Sequence, residues 1–142
     1  MKKFGFGLEK ILTLRAWDEK EARLALGRAV GVLTAVETAL VQNEAERQNL
    51  RPEQFGKPDS ISTLSAYSNY QIRLDAEKQT LLREKEAAEQ SADAARQAWQ
   101  EAAAQKKTLE TLKDKQAKTY KKTVLYEEEK EADDMAQRKH NN

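Results

Sequence analysis

The chain has 142 residues with a net charge of +1, and 35% of its residues are charged while 6% are aromatic. Balanced charge excludes a global field that selects nucleic acid or an anionic membrane, and a composition dominated by Ala, Glu, Lys, Leu and Arg excludes the thick core of an ordinary enzyme domain. The sequence has no Cys, which excludes disulfides and thiolate metal sites.

The first predicted helix runs from about residue 8 to about residue 49. Its apolar residues recur at steps of four and three, which places them on one stripe of a supercoiled helix. The stripe consists of Leu8, Leu12, Ala22, Leu26, Ala29, Leu33, Val36 and Leu40. Arg15 and Glu19 interrupt it. No run approaches the ~18 consecutive apolar residues of a membrane span, so we expect a soluble, cytoplasmic chain.

Both prolines and Gly56 fall between about residues 51 and 60, which predicts a loop. The second predicted helix runs from about residue 61 to about residue 138. Along it, one apolar position recurs every seven residues, at Tyr67, Leu74, Leu81, Ala88, Ala95, Ala102 and Leu109.

The predicted fold class is therefore all-α, a long antiparallel two-helix coiled-coil hairpin whose second helix is longer than the first. We expect residues 1–142 to form this single domain. Folding the chain about the middle of the loop predicts that Val36 lies opposite Leu74 and Ala29 opposite Leu81. The first helix is then used up near residue 104, which leaves the rest of the second helix unpaired.

No residue pattern indicates catalysis, a cofactor or a metal site. The single His, His140, lies near the C-terminus and has no nucleophile beside it in sequence. The acidic run at residues 127–134 points in several directions on a helix, so we interpret it as a solvated face or a partner contact. The basic run at residues 106–122 has few aromatic residues and favours contact with an acidic partner, and a nucleic-acid-binding coil is the alternative.

Two groups of apolar residues fall outside the predicted stripe. Trp17, Leu24 and Leu14 are placed on the outward side of the first helix, which suggests a binding surface. The alternative is that the helical phase changes near Arg15 and this side packs internally. A second candidate patch near the loop consists of Val41, Ile72, Tyr70 and Phe55.

Three motifs lie near the two ends of the sequence: FGFGLEKILTLR at residues 4–15, LETLKDK at residues 109–115 with Tyr120, and EEKEADDMA at residues 128–136. Together they resemble the flagellar export stalk family, FliJ. The first motif is similar to the start of that family, and the other two are similar to its distal end. The chain departs from the family pattern at Gly5 and Gly7, where basic residues are frequent, and at Ala132, where Leu is usual.

The resemblance implies a non-enzymatic component of the type III flagellar export apparatus, cytoplasmic and peripheral to the inner membrane through protein partners. It implies a stalk whose paired ends enter a hexameric export ATPase and whose loop-proximal part reaches the cytoplasmic domain of the membrane export gate. Export chaperones are further implied partners, and nucleic acid is not. Cofactors are not expected, because nucleotide hydrolysis would belong to the ATPase ring.

We expect the ATPase to contact residues at the two ends of the chain. These are Phe4, Phe6, Leu8, Lys10, Ile11, Leu14, Arg15, Trp17, Tyr126, Glu129, Lys130, Asp133, Asp134, Met135 and Arg138. We expect the export gate to contact the loop-proximal residues Val41, Phe55, Tyr67, Tyr70 and Ile72. The alternative function is a self-associating coiled-coil chaperone or structural scaffold, in which the same apolar residues would bury against copies of the chain.

Overall fold

The computed structural model describes residues 3–141 and contains two long helices. Helix α1 spans Glu9–Asn49, a single 3₁₀ turn spans Pro52–Phe55, and helix α2 spans Ile61–Asn141. No strand occurs within residues 3–141. The predicted all-α fold class, an antiparallel helical hairpin with a longer second helix, is confirmed.

Contacts divide the chain into two compact units. Unit 1 consists of Met1–Glu21 and Gln100–Asn142, and unit 2 of Ala22–Trp99. In each unit, part of α1 packs antiparallel against part of α2. The assignment of residues 1–142 to one domain stays a prediction.

The core of unit 2 is a narrow line of small and medium side chains between the two helices. Leu74, Ala88 and Ala92 of α2 are buried, with 3%, 6% and 1% of their surface exposed. Alanine lets two helix backbones approach closely, so little apolar surface is needed to exclude water along this line. The buried residues of α2 recur at the helical steps expected for one packed face.

The predicted pairing of residues in unit 2 is wrong by about two helical turns. The residue facing Leu74 is Asn43, whose Nδ2 donates a hydrogen bond to the Leu74 carbonyl oxygen at 3.1 Å. Val36, which was expected at that place, instead lines a surface cleft with Glu84 and Ala88, and Ala29 lies at the same cleft. Each residue of α1 therefore faces a part of α2 that is further along the chain than predicted.

The loop accounts for this shift because it folds back along the start of α2. Phe55 packs against the rings of Tyr67 and Tyr70, with ring centroids 6.3 Å and 5.6 Å away. The end of α1 consequently lies beside the second and third turns of α2 rather than beside its first residue. Arg51 closes the C-terminal end of α1, because its Nη1 donates to the carbonyl oxygens of Gln48 and Leu50, both at 2.9 Å.

Gly56 makes the reversal of the loop possible. Its φ of 138° lies in a region that side-chain-bearing residues rarely adopt. A Cβ at this position would also lie 2.7 Å from Oγ1 of Thr63, which is 3% exposed. The loop is thus pinned against the first turn of α2 by a contact that only glycine permits.

Unit 1 pairs the start of the chain with the later part of α2. Glu9 forms an ion pair with Lys113 at 2.9 Å, and Glu19 lies 3.9 Å from Lys106. The ring of Phe4 lies 5.6 Å from the ring of Tyr120. The expectation that α2 becomes unpaired near residue 104 is therefore wrong, because the N-terminal segment accompanies it to Tyr120.

Helix α1 is long and apolar enough to cross a membrane, judged by length and composition alone. It contains an 18-residue window of mean hydropathy 1.6, none of which is fully buried in the structure. The expectation drawn from the sequence concerned uninterrupted apolar runs, whereas this test averages the hydropathy of a window that tolerates charged residues. Composition of this kind is weak evidence for insertion, because signal sequences and the core helices of soluble proteins share it.

Candidate protein-docking surfaces

The outward side of α1 in unit 1 carries large apolar side chains in solvent. Leu14 and Trp17 are 54% and 58% exposed, and Ile11 is 43% exposed. They lie away from Leu12, which is 9% exposed and packs inward. At 3.6 residues per turn, Leu14 and Trp17, two and five positions after Leu12, fall on the far side of the helix from it, so the phase deduced from the sequence agrees with the structure here.

The two phenylalanines at the start of the chain are held against their own unit rather than presented to solvent. Phe6 is 8% exposed, and half-buried Phe4 contacts Tyr120. Their packing fixes the segment that precedes α1. Among the other N-terminal candidates, Lys10 is exposed and Arg15 forms an ion pair with Asp18 at 3.6 Å.

Residues 121–141 of α2 follow Tyr120, which contacts Phe4, and we call them the C-terminal extension. All of them are exposed except Val124, which is half-buried. Tyr126 and Met135 are 66% and 64% exposed. The charged candidates in this extension are likewise exposed: Glu129, Lys130, Asp133, Asp134 and Arg138. A single helix in water is marginally stable, so the extension gains from any partner that covers it.

An aromatic cluster marks the loop end of unit 2. The Tyr70 hydroxyl donates to Oε2 of Glu46 at 3.3 Å, and the Arg73 guanidinium lies 5.9 Å from the centre of the Tyr70 ring. A cleft of about 460 Å³ opens between the end of α1 and this cluster and is lined by Leu50, Phe55 and Tyr70 among others. These contacts order the cluster, so a partner would meet a preformed surface.

The five candidates for the gate contact differ in exposure. Val41 and Ile72 are 70% and 62% exposed, whereas Phe55, Tyr67 and Tyr70 are half-buried in the aromatic cluster. The structure brings the three aromatic residues together. Of the five candidates, Val41 and Ile72 have the solvent-exposed apolar surface that a partner could bury.

Sequence reasoning missed the buried polar residue Asn43. It is 3% exposed, and its Oδ1 has no hydrogen-bond partner within residues 3–141. Its spacing carried a signal, because the steps from Leu40 to Asn43, Arg47 and Leu50 continue the four-and-three rhythm of the inward stripe. A stripe defined by apolar residues alone leaves this polar position out.

Within residues 3–141, no group of three or more His, Cys, Asp or Glu side chains is arranged to hold a metal ion. The surfaces that remain are exposed apolar and charged side chains on helices. Such surfaces can bind another protein by burying apolar area and matching charge.

Comparison with known proteins identifies one family. The model of the family described as Flagellar FliJ protein matches residues 4–142, which include all of unit 2 and nearly all of unit 1. No curated protein and no solved structure matches the chain significantly.

Proposed function

The chain belongs to the flagellar FliJ protein family, and we propose that it is a non-enzymatic stalk that couples a hexameric export ATPase to the export gate. Family membership makes it a component of flagellar type III protein export. In the proposal, the ATPase binds unit 1 and the cytoplasmic domain of the gate binds unit 2. The protein would work in the cytoplasm at the flagellar base, held near the inner membrane through these partners.

The observation that carries the ATPase contact is the exposure of large side chains on unit 1. Trp17, Tyr126 and Met135 each keep more than half of their surface in solvent. Isolated exposed apolar residues are ordinary, but a tryptophan and a tyrosine are the residues that most often dominate binding at protein interfaces. Their presence on a family member makes unit 1 the better candidate for the ring.

The proposed mechanism needs no catalytic group on this chain. A single chain inside a ring of identical subunits touches each subunit differently, so it favours different conformations in them. Binding that discriminates between two conformations couples the subunits, and the coupling is reciprocal. The nucleotide state of the ring would thus change how tightly unit 1 is held.

For the gate we propose a contact through unit 2, centred on Val41 and Ile72. Both are strongly exposed. The ordered aromatic cluster of Phe55, Tyr67 and Tyr70 would form the rim of this contact. Export chaperones are the further proposed partners, and the family match is their support.

Binding of the purified export ATPase tests the first contact. We expect Trp17→Ala and Met135→Ala each to raise the dissociation constant for the ATPase by about tenfold or more, as for residues at the centre of an interface. Val32→Ala is the matched control, because Val32 is as exposed as Trp17 but belongs to unit 2. Unchanged affinity in both unit 1 variants would remove the ATPase contact from the proposal.

Binding of the isolated cytoplasmic domain of the gate tests the second contact. We expect Val41→Ala with Ile72→Ala to weaken it, while Trp17→Ala leaves it unchanged. Circular dichroism at the helix band controls for folding of every variant. Loss of gate binding in the Trp17 variant, or no loss in the double variant, would contradict the assignment.

A further inference from the structure

The outward face of α2 in unit 1 carries two blocks of opposite charge around an apolar centre. Lys118 and Lys122 precede Leu125 and Tyr126, and Glu129 and Asp133 follow them. The steps from Lys118 through Lys122, Tyr126 and Glu129 to Asp133 are four, four, three and four, so these side chains share one face of the helix. All of them are exposed.

This face is separate from the one that holds the N-terminal segment. The half-buried residues Lys113, Ala117 and Tyr120 mark the inward side of α2 in unit 1. At 3.6 residues per turn, Lys118 and Lys122 point away from that side. A partner on the outward face would therefore leave the Phe4–Tyr120 contact in place.

Each block puts like charges one turn apart. Lys118 and Lys122 are four residues apart, and so are Glu129 and Asp133, an arrangement that destabilises an isolated helix. None of these four side chains forms an ion pair among residues 3–141. Among residues 3–141, the repulsion within each block is therefore not offset by an ion pair of its own members.

The two blocks are placed symmetrically about one point of the helix. Lys122 lies three residues before Leu125, and Glu129 lies three residues after Tyr126. Lys118 lies seven residues before Leu125, and Asp133 lies seven residues after Tyr126. A second copy of the helix, laid antiparallel with its midpoint at the same place, would bring Lys118 and Lys122 of one copy beside Asp133 and Glu129 of the other.

We propose that two copies of this chain pair antiparallel through the outward face of α2 around Leu125 and Tyr126. Lys122 of each copy faces Glu129 of the other, and Lys118 faces Asp133, so each ion pair occurs twice about the two-fold axis. Leu125 and Tyr126, which are 58% and 66% exposed in the single chain, pack at the axis. Pairing also covers much of the C-terminal extension, whose described residues are exposed apart from half-buried Val124.

Charge complementarity selects this occupant and this register. A parallel copy would set lysine against lysine and acid against acid, which is repulsive. An antiparallel copy that pairs only the C-terminal extensions would centre near Glu131 and oppose the acidic blocks of both chains. Only the register centred between Leu125 and Tyr126 matches opposite signs across both blocks.

Sedimentation velocity of the full chain tests the proposal. The wild type is expected to dimerise at low ionic strength, and the dimer dissociation constant should rise by about tenfold or more between about 0.05 M and about 0.5 M salt. Lys118→Glu with Lys122→Glu makes both blocks acidic, and Glu129→Lys with Asp133→Lys makes both basic. Each double variant alone should be monomeric, and an equimolar mixture of the two should recover the dimer.

The double variants separate antiparallel from parallel pairing, because a parallel pair already opposes like charges in the wild type and would not be weakened by them. The fourfold variant that combines all these substitutions exchanges the two blocks, so it should restore the antiparallel dimer. Because the sequence has no Cys, a single Tyr126→Cys substitution gives disulfides only between chains. Thr108→Cys, on the same face but far from the axis, is the matched control and should not cross-link.

Several results would overturn the proposal. A wild type that stays monomeric at low salt up to about 1 mM removes it, because no useful affinity then exists. A dimer that survives either double variant, or a fourfold variant that remains monomeric, shows that the charges do not set the pairing. Equal cross-linking at residues 108 and 126 would rule out the register.

Discussion

Replacing the buried Asn43 by leucine should stabilise the fold, although it removes a hydrogen bond. Asn43 donates to the Leu74 carbonyl oxygen at 3.1 Å, while its Oδ1 has no partner within the described residues. The Leu74 carbonyl does not depend on Asn43, because α2 continues unbroken past it and supplies an intrahelical donor. Leucine is close to asparagine in reach and would face Leu74.

The size of the effect follows from three contributions. Loss of the hydrogen bond costs about 1 kcal/mol, and removal of the unsatisfied Oδ1 returns about 1–3 kcal/mol. Burial of the leucine side chain at a position that is 3% exposed adds about 1–2 kcal/mol, because the fit to the site is imperfect. The net expectation is a gain on the order of 2 kcal/mol in the free energy of unfolding.

Urea denaturation followed by circular dichroism measures this gain. With a slope of about 2 kcal/mol per M, the midpoint of Asn43→Leu should rise by about 1 M. Gln42→Leu is the control, because Gln42 is exposed and the substitution should change stability by less than about 0.5 kcal/mol. A fall in the midpoint of Asn43→Leu would refute the reasoning and mean that Oδ1 is satisfied in solution.

Two further comparisons by the same assay test what holds unit 2 together. Leu74→Ala should lower the free energy of unfolding by about 2–5 kcal/mol, because Leu74 is 3% exposed. Asp75→Asn beside it should lower it by less than about 1 kcal/mol, because the ion pair of Asp75 with Arg47 at 2.9 Å is solvated. Equal losses in the two variants would contradict this ranking. Gly56→Ala should lower the free energy of unfolding by about 1–3 kcal/mol, because of the positive φ of Gly56 and the clash with the Thr63 hydroxyl. Gly27→Ala, whose added Cβ would have nothing within 4 Å, should stabilise α1 by up to about 1 kcal/mol. Destabilisation by Gly27→Ala would show that its side of α1 is covered.

The fold class was predictable because its signals are local. The two prolines lie between the helices, so α1 ends before them and α2 begins after them. The apolar steps of four and three indicate two helices that pack against each other along one line. The helix bounds follow from the same local signals, so Glu9–Asn49 and Ile61–Asn141 lie close to the expected ranges. Each of these features depends on residues that are neighbours in the sequence.

The pairing of the helices was not predictable from the same pattern. An apolar position that recurs every seven residues fits its partner equally well after a slip of seven, and Asn43 lies seven residues beyond Val36, which was expected to face Leu74. What selects the register is the packing of Phe55 on Tyr67 and Tyr70. That contact joins the loop to the second and third turns of α2, and no periodicity in the helices reports it.

The candidate surfaces show the same division. The exposure of Trp17 followed from helical phase, which is a local property. The burial of Phe6 did not, because it precedes α1 and belongs to no periodic segment. Its position depends on α2 continuing alongside as far as Tyr120, which is a consequence of the register.

The two proposals for unit 1 share side chains, and this has a consequence for regulation. Tyr126, Glu129 and Asp133 are candidates for the ATPase contact and are also placed at the two-fold axis or in its ion pairs. Their side chains cannot serve both partners at once, so pairing of two chains would remove the C-terminal extension from the ATPase. The apparent affinity for the ring is then the intrinsic affinity reduced by the fraction of chains that are unpaired. Lower ionic strength favours the paired form, so the ring would compete best where salt screens the lysine and acidic blocks.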